Sequence, residues 1–175
     1  MRDIPHFLAA TALVVLAASC ENSDDAGLLA DFIAVSRTPG PNQVFLALDA
    51  VQNERVSVSV RVRGTNNVYD ADLTLVYDPT RVVFRTFDTG TLLEQGGGFI
   101  DYQVREQIPG TLRIQITRTT AGIVVAGLDD PRLVTLGFDV VKTGSASTGF
   151  GGSLHDDALN PLPGITFFGG GFQGS

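Results

Sequence analysis

The chain is predicted to fold entirely from β-strands, and three observations carry that expectation. Residues 69–79 alternate: Tyr69, Ala71, Leu73, Leu75 and Tyr77 fall on one face of an extended strand, and Asp70, Asp72, Thr74 and Val76 on the other. Val56, Val58, Val60 and Val62 keep the same period against Ser57, Ser59 and Arg61. No long amphipathic helix pattern occurs after residue 35, while 20 glycines and 8 prolines suit many short strands joined by turns. At 175 residues, with 43% hydrophobic and 18% charged side chains, the chain can bury one proper core.

The first 19 residues form a segment of another kind. Arg2 supplies a thin positive start, partly cancelled by Asp3, and Phe7 to Ala18 is an apolar run too short for a permanent membrane helix. It ends in Leu16-Ala17-Ala18-Ser19-Cys20, which resembles a bacterial lipobox, the signal for lipid attachment to the cysteine. Cys20 is the sole cysteine, so no intrachain disulfide can form. The alternative is an ordinary signal peptide cleaved after Ala18 or Ser19, which would leave a free thiol. Residues 1–19 are therefore expected to be a lipoprotein signal peptide and Cys20 the lipidation site, anchoring the protein to a membrane of the cell envelope. Glu21, not Asp, follows the cysteine, and by analogy with the enterobacterial sorting rule this points to the outer membrane if the host is Gram-negative.

Residues 20–42 are expected to hold this cysteine and a polar tether, with Glu21 to Gly27 and Arg37 to Asn42 as its clearest parts. Between them Leu28 to Val35 is apolar enough for a short helix or an early strand. Residues 43–175 are expected to be the folded domain. Within it Gly64-Thr65-Asn66-Asn67 ends the valine strand. Asp78-Pro79-Thr80 turns the chain, because proline presets φ and cannot donate to a ladder. Arg81 to Phe87, rich in β-branched and aromatic residues, forms the next strand.

Chemistry is sparse. Removing the signal leaves one histidine, His155, and no cysteine beyond Cys20, which excludes Cys/His catalysis and zinc tetrads. No G-x-S-x-G elbow and no D-x-[DN]-x-[DN]-G calcium loop occurs. His155-Asp156-Asp157 reads as a solvated loop between late strands and Asp129-Asp130-Pro131 as a turn. The glycine runs at 96–98 and 169–171 follow no strand-to-helix pattern of a phosphate cradle and read as loop and strand-end punctuation. No enzyme, metal or cofactor is expected. The formal charge of −7 argues against nucleic acid and against a polybasic grip on lipid headgroups.

The segment D-L-T-L-V-Y-D-P-T-R-V-V-F, residues 72–84, resembles the third and fourth strands of cohesin domains, the β-sandwich modules that capture dockerins. Val56 to Val62 with the loop after it resembles that family's second strand, and Gly90-Thr91-Leu92-Leu93 its turn after strand four. Gly110 to Arg118, Leu133 to Val140 and Ile165 to Gly171 resemble later strands, whereas Glu94 to Glu106 matches nothing residue by residue. The resemblance implies an antiparallel jelly-roll sandwich of about eight or nine strands in two sheets. Val56, Val58, Val60, Leu73, Leu75, Val83, Leu112, Ile114, Leu136 and Phe138 would then be buried.

The resemblance also implies a role for the outward carboxylates. In cohesins the outward side of this strand belongs to the dockerin-binding surface, so Asp70 and Asp72 become the candidate partner-binding residues. Two carboxylates on a flat face suit hydroxyls and the forks of Arg or Lys on a helix. The plainer reading is that they only solvate the outer face of a sheet, in which case losing either should change stability by about half a kcal/mol. The expected function is a membrane-anchored module that holds a dockerin-bearing protein at the cell surface. The alternative is a carbohydrate-binding module of the related fold with a polysaccharide as ligand. Flat carbohydrate sites lean on exposed Trp and Tyr. This chain has no Trp, and of Tyr69, Tyr77 and Tyr102 the alternation turns the first two inward.

Overall fold

The computed structural model describes residues 27–35, 38–96, 98–120, 125–126 and 129–175. Among these, the chain runs through β1 (Ala30–Ala34), β2 (Gln43–Gln52), β3 (Arg55–Arg63), β4 (Thr65–Asn66), β5 (Asp70–Val76) and β6 (Val82–Thr89). A 3-10 turn (Leu93–Gly96) leads to β7 (Ile100–Ile108), β8 (Thr111–Arg118), β9 (Val125–Ala126) and β10 (Arg132–Val140). β11 (Gly144–Ser147), β12 (Gly149–His155), β13 (Thr166–Phe168) and β14 (Gly170–Gly174) complete it. A five-stranded sheet in the order β13-β2-β3-β10-β6 faces a four-stranded sheet in the order β12-β5-β8-β7. These two sheets match the expected antiparallel sandwich of jelly-roll type, and only β13 beside β2 is parallel. A three-stranded sheet, β1-β14-β11, and the short pair β4-β9 are additions that the sequence did not announce.

The pleat does most of the work. β5 buries Ala71, Leu73 and Leu75, continued by Tyr77, and β8 buries Leu112, Ile114 and Ile116 in the same register. Opposite them β3 contributes Val56, Val58, Val60 and Val62, and β10 contributes Val134, Leu136 and Phe138. Phe138 is the aromatic hub: its ring lies 5.4 Å from Tyr77, 5.7 Å from Phe84 and 4.9 Å from Phe172, all edge-to-face. Such pairs add about 0.5–1.5 kcal/mol each beyond the area they bury.

Nine of the ten expected core residues are buried, and Val83 is the exception. Val82, not Val83, points inward, paired with Val140, while Val83 lies opposite Asp139 on the other face. Val82-Val83-Phe84 is a continuous apolar run, so alternation cannot say which valine faces in. A shift in the β6–β10 register between Gly137 and Phe138 then lets both Phe84 and Phe87 pack on the core.

Turns and ends follow from local chemistry. Asp78 Oδ1 accepts from the backbone N–H and hydroxyl of Thr80, closing the expected Asp-Pro-Thr turn. Gly110 has φ +81°, and its missing side chain makes room for the Tyr77 carbonyl. There Glu106 Oε1 accepts both the Tyr77 hydroxyl, at 2.5 Å, and the Gly110 N–H, at 2.8 Å. Burial first, and the Glu106 carboxylate second, push the Tyr77 phenol well above its ordinary pKa. Gly90 admits the backbone of Arg132 and Leu133 where a Cβ would collide, which is why the turn after β6 needs glycine. Leu28 to Val35, open between helix and strand in sequence, contains β1, which pairs with β14 through Ala30–Gly174 and Phe32–Phe172. Part of the stretch expected to be tether is therefore a paired strand. Residues 1–26, including the signal-like run and Cys20, lie outside the described residues.

The face of the five-stranded sheet turned away from the core carries two carboxylate clusters. Asp49 sits at a bulge in β2 and accepts from Arg61 at 2.7 Å, from Ser59 at 2.9 Å and from Arg132 at 3.4 Å. Asp139 bridges Arg55 at 3.1 Å and Arg85 at 2.7 Å. Burial pushes both carboxyls up, but the hydrogen bonds and charges of their arginines prevail and hold them below the usual carboxylate value.

Two outcomes follow for stability. Leu75→Ala removes a fully buried side chain packed between the β8 and β12 rows and should cost about 2–5 kcal/mol, read as a lower urea midpoint. The folded pKa values of Asp49 and Asp139 are depressed, so their contribution is complete above the ordinary value of 3.8 and is lost as pH falls through the folded values. Melting temperature should therefore fall on acidification below about pH 4, and Asp139→Asn should flatten part of that limb.

Candidate functional site

The outward face of the four-stranded sheet forms an ordered grid, because β5 pairs with β12 on one side and β8 on the other, and β8 with β7. Across the strands the first row reads His155, Asp70, Thr117, Asp101. The second reads Ser153, Asp72, Gln115, Gln103, and the third Gly151, Thr74, Arg113, Arg105. The last reads Gly149, Val76, Thr111, Ile108, with Gln107 left over at a shift in the β7 register. The face thus grades from an acidic and imidazole end, through two opposed arginines, to an apolar edge at Val76 and Ile108, which are 46% and 64% exposed.

Asp70 and Asp72 stand on this face, as the alternation requires, but neither is a bare solvated acid. Asp70 Oδ1 lies 2.7 Å from His155 Nδ1, and its Oδ2 accepts from the Thr117 hydroxyl at 2.6 Å. Its side chain is only 18% exposed. Asp72 takes both forks of Arg113, Nε at 3.1 Å and the terminal nitrogen at 2.8 Å. A bidentate pair of this kind fixes geometry as well as charge. Removing Asp70 would strip two partners at once, so the small stability effect expected of a merely solvated acid does not apply to it.

His155 was expected in a solvated loop. It is instead the last residue of β12, aligned with Asp70, and only after it does the chain turn. Asp156 builds that turn by accepting from the backbone N–H groups of Ala158 and Asn160. Arg113 and Thr117 were legible as outward positions of the alternating run Thr111, Arg113, Gln115, Thr117, but their approach to the aspartates depends on a pairing that no local pattern shows. Arg105 belongs to the stretch Glu94 to Glu106, where the sequence carried no comparison.

Gln103, Arg105, Gln107, Arg113 and Gln115 line a shallow depression of about 190 Å³ on the same face. The grid holds no Phe, Tyr or Trp. Tyr77 is buried, and the Tyr102 hydroxyl donates to the Gly90 carbonyl at 3.2 Å. An aromatic platform for sugar rings is therefore missing from these sixteen positions. Among the described residues no group of three or more acidic, His or Cys side chains is placed to hold a metal ion, and no helix is long and apolar enough to cross a membrane.

Solved structures similar to this chain include cohesins. The chain is similar to the sixth cohesin of Acetivibrio cellulolyticus scaffoldin B, solved in complex with a Cel5 dockerin variant. The TM-score is 0.55 at 18% identity, over 73% of this chain and 95% of that one. A type II cohesin domain from the cellulosome of the same organism aligns with TM-score 0.61 at 15% identity, over 77% and 95% of the two chains. A non-cellulosomal cohesin of the archaeon Archaeoglobus fulgidus aligns with TM-score 0.52 at 20% identity, over 81% and 88%. No curated protein matches the chain. The model of the cohesin domain family matches residues 47–165, more than half of the sequence, and the chain belongs to that family.

Proposed function

We propose that this chain is a lipid-anchored cohesin module whose four-stranded sheet captures a dockerin-bearing protein and holds it at the cell surface. The observation that carries the reading is the open outward grid of β12-β5-β8-β7, with charged and hydrogen-bonding groups at fixed spacing on a cohesin fold. Its chemistry is that of recognition: the hydroxyl, carboxylate, imidazole and guanidinium groups are engaged with one another across the strands, and a broad face of this kind suits the side of a helix. Solved cohesins similar to this chain include complexes with dockerins, which supports the choice of partner. Calorimetry of the full chain against each dockerin encoded in the same genome tests the reading, and heat of binding with none of them would overturn it by its absence.

Asp70 and Asp72 are proposed to serve this interface in two ways. Each carboxylate keeps acceptor sites beyond its internal partners, and Asp72 also holds the Arg113 guanidinium in place. Asp72→Ala should weaken a dockerin complex by about 1.5–3 kcal/mol, with a smaller change in melting than Asp70→Ala, since Asp72 and Arg113 are only half-buried. Asp70→Ala should weaken binding and also lower the melting temperature, because His155 and Thr117 lose a partner. Equal affinity in both variants would remove the pair from the interface.

The anchoring half rests on the apolar run before Leu16-Ala17-Ala18-Ser19-Cys20. Cys20→Ser should move the protein from the detergent-dependent membrane fraction to the soluble fraction, since thioether formation needs that thiol and no other cysteine exists. Unchanged membrane association of the variant would overturn the lipoprotein reading.

A further inference from the structure

Arg105 and Arg113 stand directly opposite each other on β7 and β8, an arrangement in which like charges repel. The sheet treats the two cations differently. Asp72 grips Arg113 with two bonds, whereas Arg105 meets no carboxylate and no hydrogen-bond acceptor among the described residues. Around them Gln103, Gln107 and Gln115 complete the depression, so its lining offers guanidinium and amide groups and no acid. Within an acidic chain of formal charge −7, this is a local site of opposite sign. One row further along the strands lie the exposed Val76 and Ile108. On the β12 side of the arginine row Gly151 has open space where a side chain would stand, so a rod-like partner can settle against the backbone there.

We infer that the depression receives a carboxylate side chain from a helix of the protein partner, with Arg105 as the residue that selects it. The Val76–Ile108 edge takes an apolar side chain one turn away on that helix. This rests on the reading of the face as the partner-binding surface. The spacing agrees: successive outward rows are about 6.8 Å apart along a strand, and residues i and i+4 of a helix rise by about 6 Å. A helix laid along the strands therefore presents its acid to Arg105 and its apolar residue to the edge together. The pairing also cancels the Arg105–Arg113 repulsion that the free sheet carries.

The test uses two displayed libraries selected on the full chain: dockerin domains with one helix face randomised, and a three-helix-bundle scaffold randomised in the same way. Binders should carry Asp or Glu at one position, with an apolar residue three or four positions away. Selection on Arg105→Glu should replace that acid with Lys or Arg. A wild-type-selected binder should lose about tenfold in affinity for Arg105→Glu and recover when its own acid is changed to Lys. Arg105→Gln, which removes charge without reversing it, should lie between, and unchanged melting of both variants shows that folding is intact. Dockerin binders with no acidic preference, or with affinity indifferent to Arg105, would overturn the inference while leaving the dockerin reading standing. Acid-bearing binders from the bundle library alone would uphold the inference and sink the dockerin reading. Failure of both libraries to yield a binder would overturn both.

Discussion

The two-residue period of β5 is the constraint on which the remaining architecture depends. This strand lies inside the four-stranded sheet, with β12 and β8 on its flanks, so its pleat is transmitted in both directions. Inward, Ala71, Leu73 and Leu75 set the level of Ile116, Ile114 and Leu112 on β8, and these meet the valines of β3 across the sandwich. Outward, Asp70, Asp72, Thr74 and Val76 set the level of every row in the grid. A slip of one residue would bury two carboxylates and expose two leucines, a cost far beyond the stability of an ordinary domain. The core and the candidate recognition face are therefore one decision made twice by the same seven residues, and neither can drift without the other.

The two broad faces of the sandwich spend their charges differently. On the five-stranded sheet, Arg55, Arg61, Arg85 and Arg132 all converge on Asp49 and Asp139. Those clusters are closed: each cation has its acid, and the depressed carboxyl pKa values record how strongly. On the four-stranded sheet the pairing is incomplete, since Asp72 compensates Arg113 and leaves Arg105 facing it. A surface that has satisfied its own charges has little to gain from a partner, whereas one that has not retains electrostatic free energy that docking can release. This asymmetry, more than shape, separates the candidate recognition face from its opposite.

Much of this fold was legible because alternation survives wherever one side of a strand is dry and the other wet. β3, β5 and β8 are such strands, and their inward residues fell where the period placed them. The Asp78-Pro79-Thr80 turn was legible for a different reason, since its chemistry is local. What could not be read lies where the period fails or where two distant segments must first meet. Val82 and Val83 are indistinguishable in an unbroken apolar run, and the register shift beside them is decided by β10. His155 looks like loop material beside two aspartates, yet β5 pairs with it and converts it to a face residue. The grip of Arg113 on Asp72, and the exposure of Arg105 opposite, are properties of strand order, which a linear pattern does not contain. Asp70 and Asp72 were placed on the correct side but read as simpler groups than they are.

The pairing of β1 with β14 joins the two extremes of the described chain, with Leu29 and Ser175 exchanging backbone hydrogen bonds at 3.0 and 2.9 Å. β13 likewise returns to lie beside β2. Neither strand can find its neighbour until nearly the whole chain is present, so loop-closure entropy falls due before these contacts give anything back. Long-range closure of this kind slows folding, and Phe32 and Phe172 pack edge-to-face across the seam that it closes. A chain emerging from its N-terminal side would keep β1 unpaired until β14 arrived. Until then the β1 edge stays open, and Phe32 waits for the last strand to cover it.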